Sequence, residues 1–281
     1  MEGETDMKAR YFLVIAVSLF LIARLSTPLR AGWTVVNLRP TGAQYSCATG
    51  TSGGQQVGYA RFADNPHAGL WSGTAGSWVD LNPAGALDSR AYAVSGGQQV
   101  GDSTVGVKAH AALWSGTAES WVDLNPAGAL GSRAYGVSDG QQAGSAAVGD
   151  YPHAALWTGS AESWLDLNPA GATSSQAWGV SGGRQVGYAS FGGLYRASLW
   201  SGTAASWVDL HAVLPAGVYS SSDARSIDVS FGETWVAGYA HNPSTGQDEA
   251  MLWHYVVPEP SSLIALGALL TPLLAFRRRR A

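Results

Sequence analysis

The chain has a single cysteine, Cys47, in 281 residues, so no internal disulfide can form and no paired-cysteine metal motif is available. Charged residues are only 13% of the total, about half the ordinary share. Basic residues are scarcest in the middle of the chain, where residues 32–257 carry 8 basic against 16 acidic side chains. That balance excludes the positive footprint of a nucleic-acid binder. No apolar stripe of 3.6-residue period extends for ten residues, which argues against helical solenoids. A Gly-x-Ser-x-Gly elbow and a phosphate-binding glycine loop are also missing, and no residue is assigned a catalytic, metal-binding or cofactor role.

Glycine (36) and tryptophan (12) are plentiful, and the tryptophans are periodic. Trp71, Trp114, Trp157 and Trp200 stand 43 residues apart, and Trp78, Trp121, Trp164 and Trp207 keep the same step. The segment from His110 to Gly144 has close copies one period before and after it. A fixed period of this size marks stacked copies of one unit. The copies occupy residues 32–256, which read as a single domain.

Each copy carries four strand signals separated by turn residues. In the second they are Arg90–Val94, Gln98–Gly101, His110–Trp114 and Trp121–Leu124, with Ser95-Gly96-Gly97 and Ser115–Glu119 as turns. Four short strands in about 43 residues is the size of a propeller blade, so the expected fold is an all-β, five-bladed β-propeller. The apolar run Ala111-Ala112-Leu113-Trp114 suits a strand covered on both faces, its tryptophan filling the wedge between blades. Third-strand copies end at five tryptophans, the last being Trp253, whereas fourth-strand copies number four. Trp33–Leu38 resembles the missing one, with Leu38 standing 43 residues before Leu81. This N-terminal strand is expected to complete the last blade and close the ring, removing an open sheet edge. An open β-solenoid is the competing arrangement.

Both ends read as addresses. Lys8 and Arg10 precede the apolar run Tyr11–Ala23, the layout of a secretory signal over residues 1–31 with cleavage after Ala31; an uncleaved anchor is the alternative. The acidic Glu2, Glu4 and Asp6 are out of place in such a signal, which makes Met7 an alternative start. At the other end Pro258, Glu259 and Pro260 are followed by an apolar stretch and then Arg277, Arg278, Arg279 and Arg280. The 16 residues from Ser261 to Phe276 would span about 24 Å as a helix, a little short of the ~30 Å hydrocarbon core. The arginine cluster would stay on the cytoplasmic side, placing the body outside. Residues 257–281 closely resemble the PEP-CTERM sorting signal. That resemblance implies cleavage by an exosortase near the Pro-Glu-Pro motif and a transient stay in the inner membrane. It also implies release to the cell surface or extracellular matrix of a bacterium that makes extracellular polysaccharide. A permanent C-terminal anchor is the alternative.

The core pattern Gly-Val-Ser-x-Gly-Gln-Gln-x-Gly, then His-Ala-Ala-Leu-Trp and Trp-x-Asp-Leu, resembles the HAF repeat of extracellular bacterial proteins. The resemblance covers all five units. It departs at Gly69, Ala112 and Ala155, where the family has Phe, and at Arg196 and Glu249, which replace the His. It implies location and fold and carries no activity.

His67, His110 and His153 occur one per unit and are read as hydrogen-bonding residues at strand starts, because equivalent positions spread around a ring cannot converge on one ion. Asp80, Asp123, Asp166 and Asp209, with Asn37 as the fifth, obey the repeat and are read as turn or unit-to-unit hydrogen bonders. Cys47 is expected as a small buried side chain. Arg90, Arg133 and Arg225 sit beside innermost-strand positions, with Gln176 and Cys47 in the other two units, and either line a channel or serve the scaffold. The stretch between the second and third strands does not repeat and is read as a set of binding loops on a rigid scaffold. Tyr59, Phe62, Tyr151, Tyr188, Phe191, Tyr195 and Tyr239 would give that face aromatic surface suited to sugar rings. The expected function is an exported, non-enzymatic surface or matrix protein that binds polysaccharide or protein. The alternatives are a secreted glycan-active enzyme of the five-bladed type and a purely structural surface protein.

Overall fold

The computed structural model describes residues 33–63 and 65–256. The expected signal segment 1–31 and the sorting segment 257–281, with Pro258, Glu259, Pro260 and Arg277 to Arg280, lie outside the described residues. Among the described residues no helix is long and apolar enough to cross a membrane. The chain divides into a unit ending at Val36 and a second unit from Asn37 onward, and every strand belongs to the second.

The fold is all-β, in five antiparallel sheets that follow one another along the chain. The first holds β1 (Tyr45–Ser52), β2 (Gln55–Phe62), β3 (Asn65–Trp71) and β4 (Val79–Asp80). The second holds β5 (Ser89–Ser95), β6 (Gln98–Val105), β7 (Lys108–Trp114) and β8 (Val122–Asp123). The third holds β9 (Ser132–Ser138), β10 (Gln141–Val148), β11 (Tyr151–Trp157) and β12 (Leu165–Asp166). The fourth holds β13 (Ser174–Ser181), β14 (Arg184–Phe191), β15 (Leu194–Trp200) and β16 (Val208–Asp209). The fifth has three strands, β17 (Ser221–Ser230), β18 (Glu233–Asn242) and β19 (Gln247–Val256). Strand order within each sheet is sequential, an up-and-down meander.

The repeated residues build these elements locally. Gly96 and Gly97, both at positive φ (+56° and +79°), form the two-residue turn between β5 and β6, whose twist matches that of the strands. A bulge follows at Ala91/Ala93, where Gly101 lies so close to the neighbouring strand that a Cβ would fall 1.8 Å from the Arg90 carbonyl oxygen. Only glycine fits there, which explains the last residue of Gly-Gln-Gln-x-Gly. Gln99 ties two turns together: its Nε2 donates to the Gly97 carbonyl and its Oε1 accepts from Gly116 N–H, both at 2.8 Å. Ser120 Oγ accepts from Ser115 N–H (2.8 Å) and donates to the Thr117 carbonyl (2.6 Å), folding the chain back so that Val122 and Asp123 pair with β7.

Each sheet packs on the next. Trp114 is fully buried with Val57, Leu70 and Leu81 of the first sheet, and Trp157 is likewise buried with Val100, Leu113 and Leu124 of the second. Trp200 and Trp253 repeat the arrangement further along. The second-set tryptophans Trp121, Trp164 and Trp207 close the first three of these interfaces from the side. Unit five has no such residue before the chain leaves β19, and a cavity of about 660 Å³, lined by Leu199, Val208, Leu214, Met251 and Leu252, opens there.

The fifth sheet lacks a fourth strand among the described residues. Residues 33–38 form no strand, Trp33 and Val35 are fully exposed, and the fifth sheet ends at three strands. The first and fifth sheets share no extended packing. The fourth strand of a unit is only two residues long, and in the first four units the Ser-anchored turn delivers it directly to its partner. A two-residue ladder contributes about 1 kcal/mol per hydrogen bond, against about 1–2 kcal/mol to order each backbone residue. The linker itself is nevertheless in repeat form. Asn37 Oδ1 accepts from Arg39 N–H (2.9 Å) as Asp80 Oδ1 does from Asn82 N–H (2.8 Å), and Ala43 N–H donates to the Pro40 carbonyl as Ala86 N–H does to Pro83.

Cys47 is exposed rather than buried, a correction that follows from its column: its counterparts Arg90, Arg133 and Gln176 are likewise at least partly open to solvent, while the next residue on each later leading strand faces the preceding sheet.

Candidate functional site

The stretch expected to form binding loops is mostly strand. β6 and β7 continue their ladder to Val105 opposite Lys108, and β14 and β15 to Phe191 opposite Leu194, leaving turns of two residues. Alternation along a strand then splits the aromatic set between two faces. Phe62 and Phe191, each three residues from its tyrosine, point back into the scaffold, with ring centroids 5.8 Å from Trp78 and 5.1 Å from Trp207. Tyr151 is exposed at the start of β11 with no aromatic neighbour among the described residues. Tyr59, Tyr188 and Tyr239 remain, one each in β2, β14 and β18, with the Tyr195 ring tilted against Tyr188 at 4.6 Å.

These tyrosines belong to a strip running across the leading strands of the five sheets. Pairing registers place Cys47 opposite Tyr59, Arg90 opposite Asp102, Arg133 opposite Ser145, Gln176 opposite Tyr188 and Asp223 opposite Tyr239. Two residues further along the leading strands stand Thr49, Tyr92, Tyr135, Trp178 and Arg225. Tyr92 and Tyr135 rings lie 5.7 Å apart, Tyr135 and Trp178 4.7 Å, and Trp178 and Tyr188 6.2 Å. The Arg225 guanidinium sits 4.4 Å from the Trp178 ring centre and 5.4 Å from that of Tyr239. At the other end Arg90 lies 5.7 Å from the Tyr59 ring centre. Rings and guanidinium planes therefore follow one another from the first unit to the fifth, partly open to solvent throughout. Arg225 thus belongs to the column of Tyr92 and Trp178; the counterpart of Arg90 in unit five is Asp223.

Two carboxyls are set into the strip. Asp102 is buried and hydrogen-bonded by the Tyr92 hydroxyl; burial raises its pKa, opposed by that bond and by the charges of Arg133 and Arg90. Asp223 is 4% exposed, accepts from Trp178 Nε1–H at 3.0 Å and pairs with Arg225 at 2.9 Å. Burial outweighs both contacts and lifts its pKa to about 6. Burial likewise pushes the Tyr188 hydroxyl up to about 12, so it stays a neutral hydrogen-bonding group. Asp102 and Asp223 do not obey the repeat that marks the other acids, so periodicity does not single them out. Their signal is the opposite: each breaks its column, Asp102 among Tyr59, Ser145, Tyr188 and Tyr239, and Asp223 among Cys47, Arg90, Arg133 and Gln176.

The periodic polar residues do structural work elsewhere. His67, His110 and His153 each bond through Nδ1 to the aspartate of their own unit, Asp80, Asp123 and Asp166, at 2.7–2.8 Å. In the fourth unit Arg196 takes the place of the histidine and forms an ion pair with Asp209 at 2.9 Å. From each aspartate the connection runs on to the next sheet. Asp123 Oδ1 accepts from Asn125 N–H, Asn125 Oδ1 accepts from the Ser132 hydroxyl, and Ser132 Oγ accepts from Ala111 N–H, all at 2.7–2.9 Å. These chains fix the unit-to-unit spacing that lines up the strip. Compared with models of known protein families and with curated proteins, the chain matches none.

Proposed function

We propose that this chain is an exported, non-enzymatic protein of the cell surface or extracellular matrix whose five propeller-like units present one continuous strip for binding a polysaccharide. The observation that carries this reading is the run of rings and guanidinium groups from Tyr59 to Tyr239: neighbours lie 4.4–6.2 Å apart from Tyr59 to Arg90 and again from Tyr92 to Tyr239, and Arg90 and Tyr92 stand two residues apart on β5. Flat aromatic faces stack on sugar rings, arginine forks hold hydroxyl and carboxylate groups, and a strip crossing every unit suits an extended polymer. Export, exosortase processing and transient membrane residence rest on the resemblance of residues 257–281 to the PEP-CTERM signal. A glycan array probed with the purified protein tests the reading: polymer-length glycans should bind, and their monosaccharides should not. Absence of any glycan binding would reject it.

Asp102 and Asp223 favour a second reading, a glycan-active enzyme, because buried carboxyls with raised pKa are suited to act as general acids. They stand in the second and fifth sheets with two sheets between them, whereas glycoside hydrolysis needs its two carboxyls roughly 5–10 Å apart. The binding reading is therefore preferred. Turnover of a bound polysaccharide that disappears in Asp223→Asn while binding remains would reverse that preference.

A further inference from the structure

We propose that copies of this chain associate head to tail, the outward face of the fifth sheet of one copy receiving the first sheet of the next. The interface is the one already used four times inside the chain, and both of its halves are exposed at the ends. On the tail side, Ala237 and Leu252 are paired across β18 and β19 as Val57 and Leu70 are across β2 and β3. Val57 and Leu70 are 0% and 5% exposed beneath the second sheet, whereas Leu252 is 63% exposed. Ala250 occupies the place of Ala68, Ala111, Ala154 and Ala197, all fully buried, but is itself exposed.

The head side offers the reciprocal set. Ala48 is exposed on β1, whereas its counterparts Ala91, Ala134, Ala177 and Ala224 are fully buried against the preceding sheet. Ser46 stands where Ser89, Ser132, Ser175 and Ser222 each accept a hydrogen bond from the backbone N–H of the preceding unit's alanine, at 2.8–2.9 Å. Leu38 stands where Leu81, Leu124, Leu167 and Leu210 each donate N–H to the carbonyl of that same alanine, at 2.8–2.9 Å. Neither Ser46 Oγ nor the Ala250 backbone has such a partner among the described residues. Docking of a second copy would supply both: Ala250 N–H to Ser46 Oγ, and Leu38 N–H to the Ala250 carbonyl. It would also cover the unpaired edge of β19. The two faces differ from each other, so the contact is heterologous and each added copy leaves a new tail exposed, which generates chains rather than closed dimers.

The experiment is sedimentation velocity on the full chain and on two end-blocked variants, Ala48→Arg at the head and Leu252→Arg at the tail. The wild type should form species that grow with concentration. Each variant alone can use only one end with itself and should stop at the monomer. An equimolar mixture should give a dimer and nothing larger, because the intact tail of one variant meets the intact head of the other. Wild type that stays monomeric at every concentration would overturn the proposal, and so would variants that still polymerise or a mixture that stays monomeric. The near-ultraviolet dichroism of the buried tryptophans checks that each variant folds, and Ala237→Arg replaces Leu252→Arg should the latter fail that check.

Discussion

Gly144 shows how little room the repeat leaves at a single position. A Cβ there would lie 1.9 Å from the Arg133 carbonyl oxygen, a backbone atom that cannot swing away. Gly144→Ala should cost about 2–3 kcal/mol through forced separation of β9 and β10, lowering the melting temperature by some 5–10 °C by calorimetry. At Asp223 the sign of the pH effect follows from its raised pKa. The folded state holds this proton more tightly than the unfolded chain does, so the stabilisation is complete below about pH 4 and is lost as pH rises through about 6. Asp223→Asn removes the titration. Between pH 4 and 6.5 the stability of the wild type relative to this variant should fall by about 2 kcal/mol, measured by urea unfolding. A constant difference would mean that Asp223 titrates normally.

At the scale of the element, the fourth unit contains a detail the others lack. Ser198 accepts a 2.8 Å hydrogen bond from Trp207 Nε1, whereas Trp121 and Trp164 bury the same nitrogen with no partner, above Ala112 and Ala155. Ala155→Ser should transplant the bond to the third sheet and raise stability by up to about 1 kcal/mol; a drop in melting temperature would show that Trp164 cannot reach it. Elements of this kind were readable in the sequence wherever residues obey the period. The glycine turns, the buried third strands and the hydrogen-bonding character of the periodic His and Asp all follow from local geometry that repeats every 43 residues, although their pairing with each other did not show. The stretch between the second and third strands was misread as loop because its residues vary, although the spacing of Tyr59 from Phe62 and of Tyr188 from Phe191 already placed each pair on opposite faces of a strand. Closure was not readable at all. Whether Trp33–Leu38 meets β19 depends on how far each sheet is rotated from the last, and no local pattern encodes that angle.

For the whole molecule, the order of Pro-Glu-Pro motif, apolar stretch and arginine cluster sets an expectation about maturation. Matrix-associated protein should lack everything beyond about Pro260, and C-terminal mass spectrometry that finds Phe276 and Arg277 in exported protein would contradict it. The central claim concerns the strip that the five sheets align. It is tested most directly by calorimetric titration of the polysaccharide that the array selects into wild type, Trp178→Ala and Tyr151→Ala. Trp178 touches Tyr135, Tyr188, Asp223 and Arg225 at the middle of the strip, whereas Tyr151 is an exposed ring outside it. The account predicts at least a tenfold loss of affinity, about 1.4 kcal/mol, for Trp178→Ala and none for Tyr151→Ala. Unchanged affinity in Trp178→Ala, or loss confined to Tyr151→Ala, would place the binding surface elsewhere.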